Sequence, residues 1–386
     1  MGRNLDIIVY GATGYTGQLV ADYLKDHAEG RRWAMAGRSA DKLAAVRDAI
    51  GAPASTPLIV ADAADPASLK AMAESTEVVL TTVGPYQLYG EALLAACVEA
   101  GTAYVDLCGE PAWMRQMIDK YEAAAKASGA RIVFSCGFDS IPFDMGVYFL
   151  QEHAKASFGR PVPVVNARVT RMQGTFSGGT AASGRATFAA AMKDPSILTL
   201  LQSPFALTPG FAGAAQPNGS KPKFDEAIGS WVAPFFMAVI NTKNVHRSNF
   251  LMGHPYGADF GYDEMIVTGP GEAGEKAAAA VAASNPMADE NGPKPGEGPT
   301  REEREAGHYT VLFVGTAPDG RSVRTTVTGD MDPGYGSTSK MISQCALCLV
   351  DEAKGLAGGI YTTAPAFGMP LIERLAKHAG LTFTIE

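Results

Sequence analysis

A glycine-rich turn close to the N terminus sets the fold of the first part of the chain. An apolar, β-branched run, Leu5–Tyr10, leads into it, and Gln18–Leu24 follows with apolar residues at helical spacing. The turn has the spacing G-x-x-G-x-x-G and consists of Gly11, Ala12, Thr13, Gly14, Tyr15, Thr16 and Gly17. Such glycines allow a sharp bend, admit a pyrophosphate to the backbone and let the helix pack on the strand, with the anion at the helix N terminus. Tight turns also use glycine for steric reasons alone, but the flanking strand and helix favour a dinucleotide-binding, Rossmann-type unit.

The end of the second predicted strand, Trp33–Ala36, indicates which dinucleotide this unit prefers. Arg38 and Ser39 stand where an NAD enzyme would carry an acidic residue for the ribose hydroxyls. A guanidinium pairs with a 2′-phosphate, which an acidic residue would repel, so we predict NADP(H) as the cofactor. Lys42, one helical turn later, extends the same phosphate site. A solvated surface charge is the alternative explanation of Arg38.

Further apolar runs alternate with helical segments through the first part of the chain. With the two strands above they give six strands and predict an α/β fold, a doubly wound parallel sheet with right-handed crossovers, over residues 1–150. The additional strands are Leu58–Ala61, Val78–Val83, Ala103–Leu107 and Arg131–Ser135. Cofactors lie at the carboxyl edge of such a sheet. The residues predicted to meet the cofactor there are Asp62, Val83, Gly84, Pro85, Tyr86, Cys136 and Gly137. Asp62 either accepts a hydrogen bond from the adenine amine or caps a helix.

Length and charge limit the classes of protein that remain. A chain of 386 residues exceeds the roughly 250–300 residues of a single core, so two domains are expected. The net charge of −8 argues against a nucleic-acid partner. The N terminus shows no secretory signal and no run of about 18 apolar residues occurs, so we expect a cytoplasmic protein. Five cysteines, an odd count, are expected to be reduced thiols.

The patterning changes after Pro163 to longer strands of period two, which predict a second, α+β domain with a mixed or antiparallel sheet over residues 151–332. Asp319-Gly320 predicts a hairpin, and Thr300–Glu303 has capping-box spacing. The segments Gly174–Gly184, Ser203–Lys223 and Pro286–Pro299 are loops by composition. A helix is predicted over Ser337–Val350. The predicted strands are Val164–Met172, His308–Val314 and Ser322–Thr328.

Several motifs together carry a resemblance to a known family. GATGYTG, AGRSADKL, VGPY and the run Cys136 to Pro142 resemble the saccharopine dehydrogenase-like oxidoreductases, and PFFMAVINTKNVHRSNFL, GEGPTREEREAG and GDMDPGYGSTSK resemble its trans-acting enoyl reductase branch. The resemblance covers most of the chain. It implies NADPH-dependent reduction, often of a carbon–carbon double bond in a lipid or polyketide, and a C-terminal helical segment, 333–386, that returns to the first domain. Phe143 and Asp144 depart from the smaller residues expected there.

Reduction of an enoyl group or enone needs a hydrogen-bond donor near the carbonyl oxygen and an acid. The predicted catalytic residues are Tyr86, Asn241, Arg247 and Tyr335, with Tyr256 as a further donor candidate; His246 and His254 are candidate pocket residues. For each candidate a structural role is the alternative: a buried tyrosine satisfying its hydroxyl, a turn cap for Asn241, a surface charge for Arg247. The acid of short-chain dehydrogenases is absent because no tyrosine has a lysine four residues later. Cys345 and Cys348 have no second ligand pair nearby, so no metal is predicted.

Three interpretations are open for the apolar segments Trp231–Ile240 and Ile197–Phe205. They line a hydrophobic pocket, they touch a membrane surface, or they form a buried core helix. The favoured hypothesis is an NADPH-dependent reductase of an activated double bond in a small hydrophobic substrate. A second hypothesis is a saccharopine dehydrogenase-like enzyme for imines or amino acids, for which only Arg185 and Arg247 offer candidate anion-binding groups. A third is an NADP-binding protein at a lipid surface without turnover. Peripheral membrane contact and a homodimer are open expectations.

Overall fold

The computed structural model describes residues 3–175, 178–284 and 296–386, and for residues 178–181 it describes the backbone alone. The described part of the chain forms two seven-stranded sheets with helices around them. The predicted loop Pro286–Pro299 lies mostly outside the described residues. No helix in the described ranges combines the length and apolarity needed to cross a membrane.

The first sheet is entirely parallel and has the order β13-β6-β5-β4-β1-β2-β3. This confirms the doubly wound fold, and the six predicted strands are joined by a seventh from near the C terminus. The strands are β1 (Leu5–Tyr10), β2 (Trp33–Gly37), β3 (Leu58–Val60), β4 (Thr76–Thr81), β5 (Ala103–Val105), β6 (Arg131–Val133) and β13 (Gly359–Tyr361). The crossover helices are α1 (Tyr15–His27), α2 (Ala40–Ala49), α3 (Pro66–Glu74), α4 (Tyr86–Ala100) and α5 (Pro111–Ser128), and α6 (Ile141–Phe158) leads away from β6.

The second sheet has the order β14-β12-β11-β7-β10-β9-β8. Only β7 and β10 run parallel, and the other neighbours are antiparallel, so the sheet is mixed as predicted. The Asp319-Gly320 hairpin joins β11 to β12, and Thr300 makes the predicted capping box with Glu303. The strands are β7 (Val164–Gln173), β8 (Lys223–Asp225), β9 (Ser230–Pro234), β10 (Gly261–Gly269), β11 (His308–Thr316), β12 (Ser322–Gly329) and β14 (Leu381–Ile385). The accompanying helices are α7 (Gly178–Lys193), α8 (Pro195–Gln202), α9 (Ala238–Leu251), α10 (Gly271–Ala283) and α11 (Arg301–Ala306).

Two predictions about the second half are wrong. The predicted loop Gly174–Gly184 runs into α7, because the alanine-rich sequence after Gly179 has enough helix propensity to outweigh its glycines and serines. The apolar segment Trp231–Ile240 does not form one buried helix. Its first part is the strand β9, which ends at Pro234, and α9 begins only at Ala238.

The C-terminal part of the chain connects the two sheets. A π-helical turn, Pro333–Ser337, leads into α12 (Thr338–Asp351), which packs against α1 and β4. After β13, the helices α13 (Thr363–Phe367) and α14 (Met369–His378) follow. We expected a helical segment, but it also contains two strands: β13 pairs with β6 in the first sheet and β14 pairs with β12 in the second.

One hydrophobic core extends through both halves of the molecule. Where α6 packs on the second sheet, Gly146 lies against the ring of Phe313 on β11. A Cβ at position 146 would lie 2.3 Å from Phe313 Cζ, so a side chain there would push the helix off the second sheet. This packing fixes the second sheet relative to the carboxyl edge of the first.

Candidate active site

The glycine-rich turn has the shape that the sequence predicts. Gly11 has φ +92°, and a Cβ there would lie 2.7 Å from Val83 Cγ2 on the neighbouring loop. A Cβ on Gly17 would lie 2.0 Å from the carbonyl oxygen of Gly11. Helix α1 begins at Tyr15, and no side chain of the described residues caps it at Gly14. The first-turn N–H groups and the helix dipole therefore suit a pyrophosphate.

The adenosine end of the predicted cofactor site lies at the ends of β2 and β3. Arg38 and Lys42 are exposed there, and Ser39 caps α2 by accepting a hydrogen bond from Lys42 N at 3.3 Å. Burial first, then the charge of Asp62, raises the pKa of Tyr10, while Arg38 opposes that rise, so these charges lie around Tyr10. The capping alternative for Asp62 is wrong because Asp65 caps α3. Contact of Asp62 with adenine stays a prediction.

A cavity of about 580 Å³ lies between the glycine-rich turn and the second half of the chain. The first half contributes Thr16, Thr82, Gly84 and Tyr86, together with residues after β5 and β6. The second half contributes an apolar part, which comprises Met172, Leu201, Phe236, Met237, Val239 and Ile240, and polar residues, among them Ser183, Thr187, Tyr335 and Thr338. Of the residues that the structure describes around this cavity, none is lysine, arginine or histidine. Carboxyl groups, by contrast, are present.

Glu110 is a cavity carboxylate held by hydrogen bonds. Its two oxygens accept bonds from Tyr86 N and Gln87 N, both at 2.9 Å, at the start of α4. Ser183 Oγ of α7 donates to it as well, at 2.9 Å. Glu110 therefore satisfies the N terminus of one helix and attaches a second helix to it.

Tyr86 lines the same cavity, but its hydroxyl is occupied. It donates to Thr81 O at 3.3 Å and accepts from Leu107 N at 3.0 Å, and burial raises its pKa well above the ordinary value. Tyr86 thus joins two loops at the carboxyl edge of the sheet. Tyr86 therefore fits the structural alternative to a catalytic role: it is a buried tyrosine whose hydroxyl is satisfied by the backbone.

Asp139 is the second cavity carboxyl, and the sequence reasoning missed it as a site residue. It lies in the short loop between β6 and α6, beside the predicted cofactor residue Gly137. Ser140 N bonds to Ser135 O at 2.9 Å and Phe138 N to Thr338 Oγ1 at 2.9 Å, which fixes the loop on both sides of Asp139. Burial raises the pKa of Asp139 to about 7. An acidic residue in the loop after a parallel strand was the available signal, because that edge carries the active sites of this architecture.

Tyr335 is, with Tyr86, a predicted catalytic residue that lines the cavity. It lies in the π-helical turn before α12, with its ring edge-on to Tyr15 at a centroid distance of 5.2 Å. Asp332 shapes this turn by accepting hydrogen bonds from Tyr335 N at 2.9 Å and Gly336 N at 2.7 Å. The hydroxyl of Tyr15 donates to Pro299 O, so Tyr15 connects the glycine-rich turn to the second half of the chain.

The structure places the remaining catalytic candidates away from the cavity lining. Arg247 is 1% exposed, and its guanidinium donates to Leu207 O at 2.7 Å and Ile360 O at 2.6 Å. Asn241 donates to Glu264 Oε1 at 2.6 Å within the core. These predicted roles do not fit the positions, because both residues serve buried hydrogen-bond networks. Tyr256, His246 and His254 also lie outside the lining.

The cysteines are all buried thiols. Cys136 lies under the cavity floor rather than on it, with its Sγ donating to Val133 O at 3.5 Å, which does not fit its predicted contact with the cofactor. Its thiol neighbour is Cys345 on α12. In the described ranges no three metal-ligating side chains come together.

Comparison with known proteins agrees with this geometry. Residues 7–133 match the saccharopine dehydrogenase NADP-binding domain. A Mycobacterium tuberculosis protein assigned as a trans-acting enoyl reductase is 39% identical over 97% of this chain and 96% of its own length. The chain belongs to the trans-acting enoyl reductase branch of the saccharopine dehydrogenase-like family. A trans-acting enoyl reductase of Mycobacterium bovis is 38% identical over the same shares of the two chains.

The fold of this oxidoreductase is also that of the wider family. Apo saccharopine dehydrogenase from Saccharomyces cerevisiae superposes with a TM-score of 0.57 at 10% identity, over 99% of this chain and 100% of that one. The protein is an NADP-dependent oxidoreductase, and the predicted cofactor is confirmed. The roles of the individual cofactor-binding residues stay predictions.

Proposed function

We propose that this oxidoreductase uses NADPH to reduce the activated carbon–carbon double bond of an uncharged, apolar enoyl or enone substrate. The observation that carries the proposal is the composition of the cavity. A large part of its wall facing the glycine-rich turn is apolar, and its described lining offers two carboxyl groups and no cationic side chain. The activity in the names of the mycobacterial relatives supports the same reaction.

NADPH, when bound, supplies the hydride. The turn Gly11–Gly17 and the first turn of α1 would hold its pyrophosphate, and Arg38 with Lys42 would hold its 2′-phosphate. Both arginine and lysine are exposed and lie at the edge where that phosphate would be. The apolar wall excludes water from the reacting double bond and orients the substrate by its hydrocarbon part.

The charge of the cavity disfavours the second hypothesis. A substrate such as saccharopine carries several carboxylates, which require convergent arginines or lysines. Arg185 is exposed on α7 and Arg247 is committed to backbone carbonyls, so neither cation lines the described cavity. Glu110 would in addition repel an anionic substrate.

The test is oxidation of NADPH with a panel of substrates. We expect turnover with 2-cyclohexenone or with an uncharged crotonyl thioester, and a far lower rate with a matched alkene that carries a carboxylate. Saccharopine with NADP⁺ is the comparison reaction. Turnover of saccharopine, or silence across a broad panel of enones and enoyl thioesters, would count against the proposal.

The surface near the cavity carries exposed apolar side chains, which relate to the expectation of peripheral membrane contact. Phe188 and Met192 of α7 and Leu198 of α8 are exposed apolar side chains. Such side chains could rest on a lipid surface, and peripheral contact, like the homodimer, stays a prediction. Flotation with liposomes, with and without NADPH, measures it; strong flotation without any turnover would favour the non-catalytic hypothesis.

A further inference from the structure

The carboxyl groups in or near the cavity differ in what they bond. Asp106, directly after β5, accepts hydrogen bonds from Ser135 N, Cys108 N and the Tyr104 hydroxyl. Both oxygens of Glu110 accept hydrogen bonds from backbone N–H groups. Both oxygens of Glu264 are also engaged, one by Asn241 at 2.6 Å and the other by the hydroxyl of Tyr262 at 3.0 Å. Asp139 has no hydrogen-bond partner for its carboxyl among the residues that the structure describes.

We propose that Asp139 is the proton donor of the reduction, its carboxylic acid protonating the substrate carbon that becomes electron-rich when hydride adds to the double bond. This inference rests on the proposed function. Asp139 is partly exposed to the cavity. An ionised carboxyl at a largely apolar cavity without a protein partner is costly, and the cost falls when the group keeps a proton and gives it to a ligand. Asp139 and Glu110 both line the cavity, whereas Glu264 lies behind it, and of the two lining carboxyls only Glu110 is held by hydrogen bonds within the described chain.

The surroundings shift the titration of this carboxyl towards neutral pH, where a substantial fraction of the molecules carries the proton. Burial raises the pKa of Asp139 to about 7. The groups coupled to it electrostatically are Glu264 of β10 and Cys108 of the loop after β5. Glu110 and Tyr335 line the same cavity. Lys243 of α9, a buried cation, directs its ammonium to Leu201 O and Val239 O instead.

The position of Asp139 is rigid enough for a defined proton transfer. Its neighbour Ser140 accepts a hydrogen bond from Asn244 Nδ2 of α9 at 2.7 Å, and Phe138 N is held by Thr338 at the start of α12. A Cβ at Gly109 would lie 3.1 Å from Asp139 Oδ2, so the glycine leaves room for the carboxyl. Elements of both halves of the molecule thus hold the residues on both sides of Asp139.

The proton and electron balance is simple. Hydride brings two electrons to the β carbon, the π bond opens, and its electron pair becomes an enolate. The O–H bond of the Asp139 carboxyl then breaks, a C–H bond forms at the α carbon, and Asp139 is left as a carboxylate. A proton from water restores the acid. The net change is one double bond reduced, with NADPH oxidised to NADP⁺ and one proton consumed.

The first test is kinetic and uses Asp139→Asn, which preserves the shape of the side chain. We expect kcat for 2-cyclohexenone to fall by about 10²- to 10⁴-fold, the contribution of a general acid. The Kd for NADPH, measured by calorimetry, should be unchanged. The wild-type rate should fall as pH rises through about 7, because the protonated acid is required, and the residual rate of the variant should be flat there. Asp139→Glu should recover part of the rate together with the pH dependence.

The second test needs no turnover. Infrared difference spectra of wild type minus Asp139→Asn should show a protonated carboxyl that titrates near pH 7. Glu264→Gln identifies the signal of Glu264, a buried carboxyl whose pKa is also raised. Asp26→Asn, at an exposed position, is the matched control. Asp139 ionised throughout, or Asp139→Asn with wild-type kcat and pH profile, overturns the role of Asp139 alone. A wild type that reduces no activated alkene overturns the proposed function as well.

Discussion

Backbone forms the nucleotide side of the cavity, whereas side chains from distant segments form the substrate side. At the first sheet, glycines bring the Gly11–Gly17 turn within contact distance of the loop after β4, and within the described part of the chain no side chain caps the N terminus of α1 at Gly14. On the opposite side, Met172 of β7, Leu201 of α8 and Met237 before α9 meet only after folding. An added Cβ therefore displaces the backbone of the nucleotide side, whereas a substitution in the side-chain wall changes only the contacts of one residue.

The largest effect is expected for Gly17→Ala. A Cβ at 2.0 Å from Gly11 O must displace the turn. A shift on the order of 1 Å should lower NADPH affinity by roughly 100-fold. Fluorescence titration of NADPH measures it, and Gly355→Ala, where a Cβ meets nothing, is the control. Gly14→Ala, whose Cβ has 3.4 Å of space, keeps the fold while testing the same surface. Unchanged affinity in both variants would contradict a backbone-built nucleotide site.

Charge reversal at the adenosine end should have the next largest effect. Arg38→Asp should reduce the preference for NADPH over NADH by roughly 10- to 100-fold, in line with about 1.5–3 kcal/mol for hydrogen bonds to a charged group. Calorimetry with both coenzymes measures the preference. Arg160→Asp, on an exposed residue next to the second sheet, is the control. An unaltered preference would show that Arg38 is the solvated surface charge of the alternative explanation.

The substrate wall should respond more gently and leave the coenzyme untouched. Met237→Ala removes a largely buried apolar side chain from the cavity. We expect KM for an apolar enone to rise by roughly 10-fold, consistent with about 1.5 kcal/mol for a buried side chain, with no change in Kd for NADPH. Ile385→Ala, at an exposed position of β14 in the second sheet, is the control. An equal loss of coenzyme affinity would mean that the two sides are not independent.

The smallest effect concerns stability and pH at the buried carboxyl Glu264. Burial raises its pKa from 4.5 to about 8. A carboxyl whose folded pKa is raised binds more protons in the folded state, so its contribution to stability declines as pH rises from about 4.5 to about 8. In Glu264→Gln the free energy of unfolding, measured by urea denaturation, should decline less over that range. An identical pH dependence in both proteins would show that Glu264 is already ionised in the folded state.

The sequence was most informative where a site depends on local geometry. The spacing of Gly11, Gly14 and Gly17 and the period of β1 and α1 specify the turn, since all these residues are within one strand–turn–helix unit. The hairpin at Asp319-Gly320 and the cap at Thr300 were predicted for the same reason. Local propensity misled where composition was mixed, as in α7, where alanines outweighed glycines.

The candidate site was predictable only in part, because its side chains have long-range partners. Tyr335 was identified and does line the cavity. Tyr86 was identified too, yet its hydroxyl is engaged by two backbone groups that lie apart in the sequence. Arg247 has the composition of an anion-binding residue but is held by carbonyls from residues 207 and 360. Periodicity carries no information about such partners.

The sequence by itself determined the nucleotide-binding turn, the parallel sheet, the mixed second sheet and the preference for a phosphorylated coenzyme, because each follows from spacing within a short segment. Tertiary structure alone decided that Glu110 accepts three hydrogen bonds while Asp139 accepts none in the described chain. The different hydrogen-bond partners of the two carboxyls, and the burial that raises the pKa of Asp139, come from their surroundings. Those surroundings are assembled from β5, β6, α4, α7 and α12, which no local pattern relates to one another.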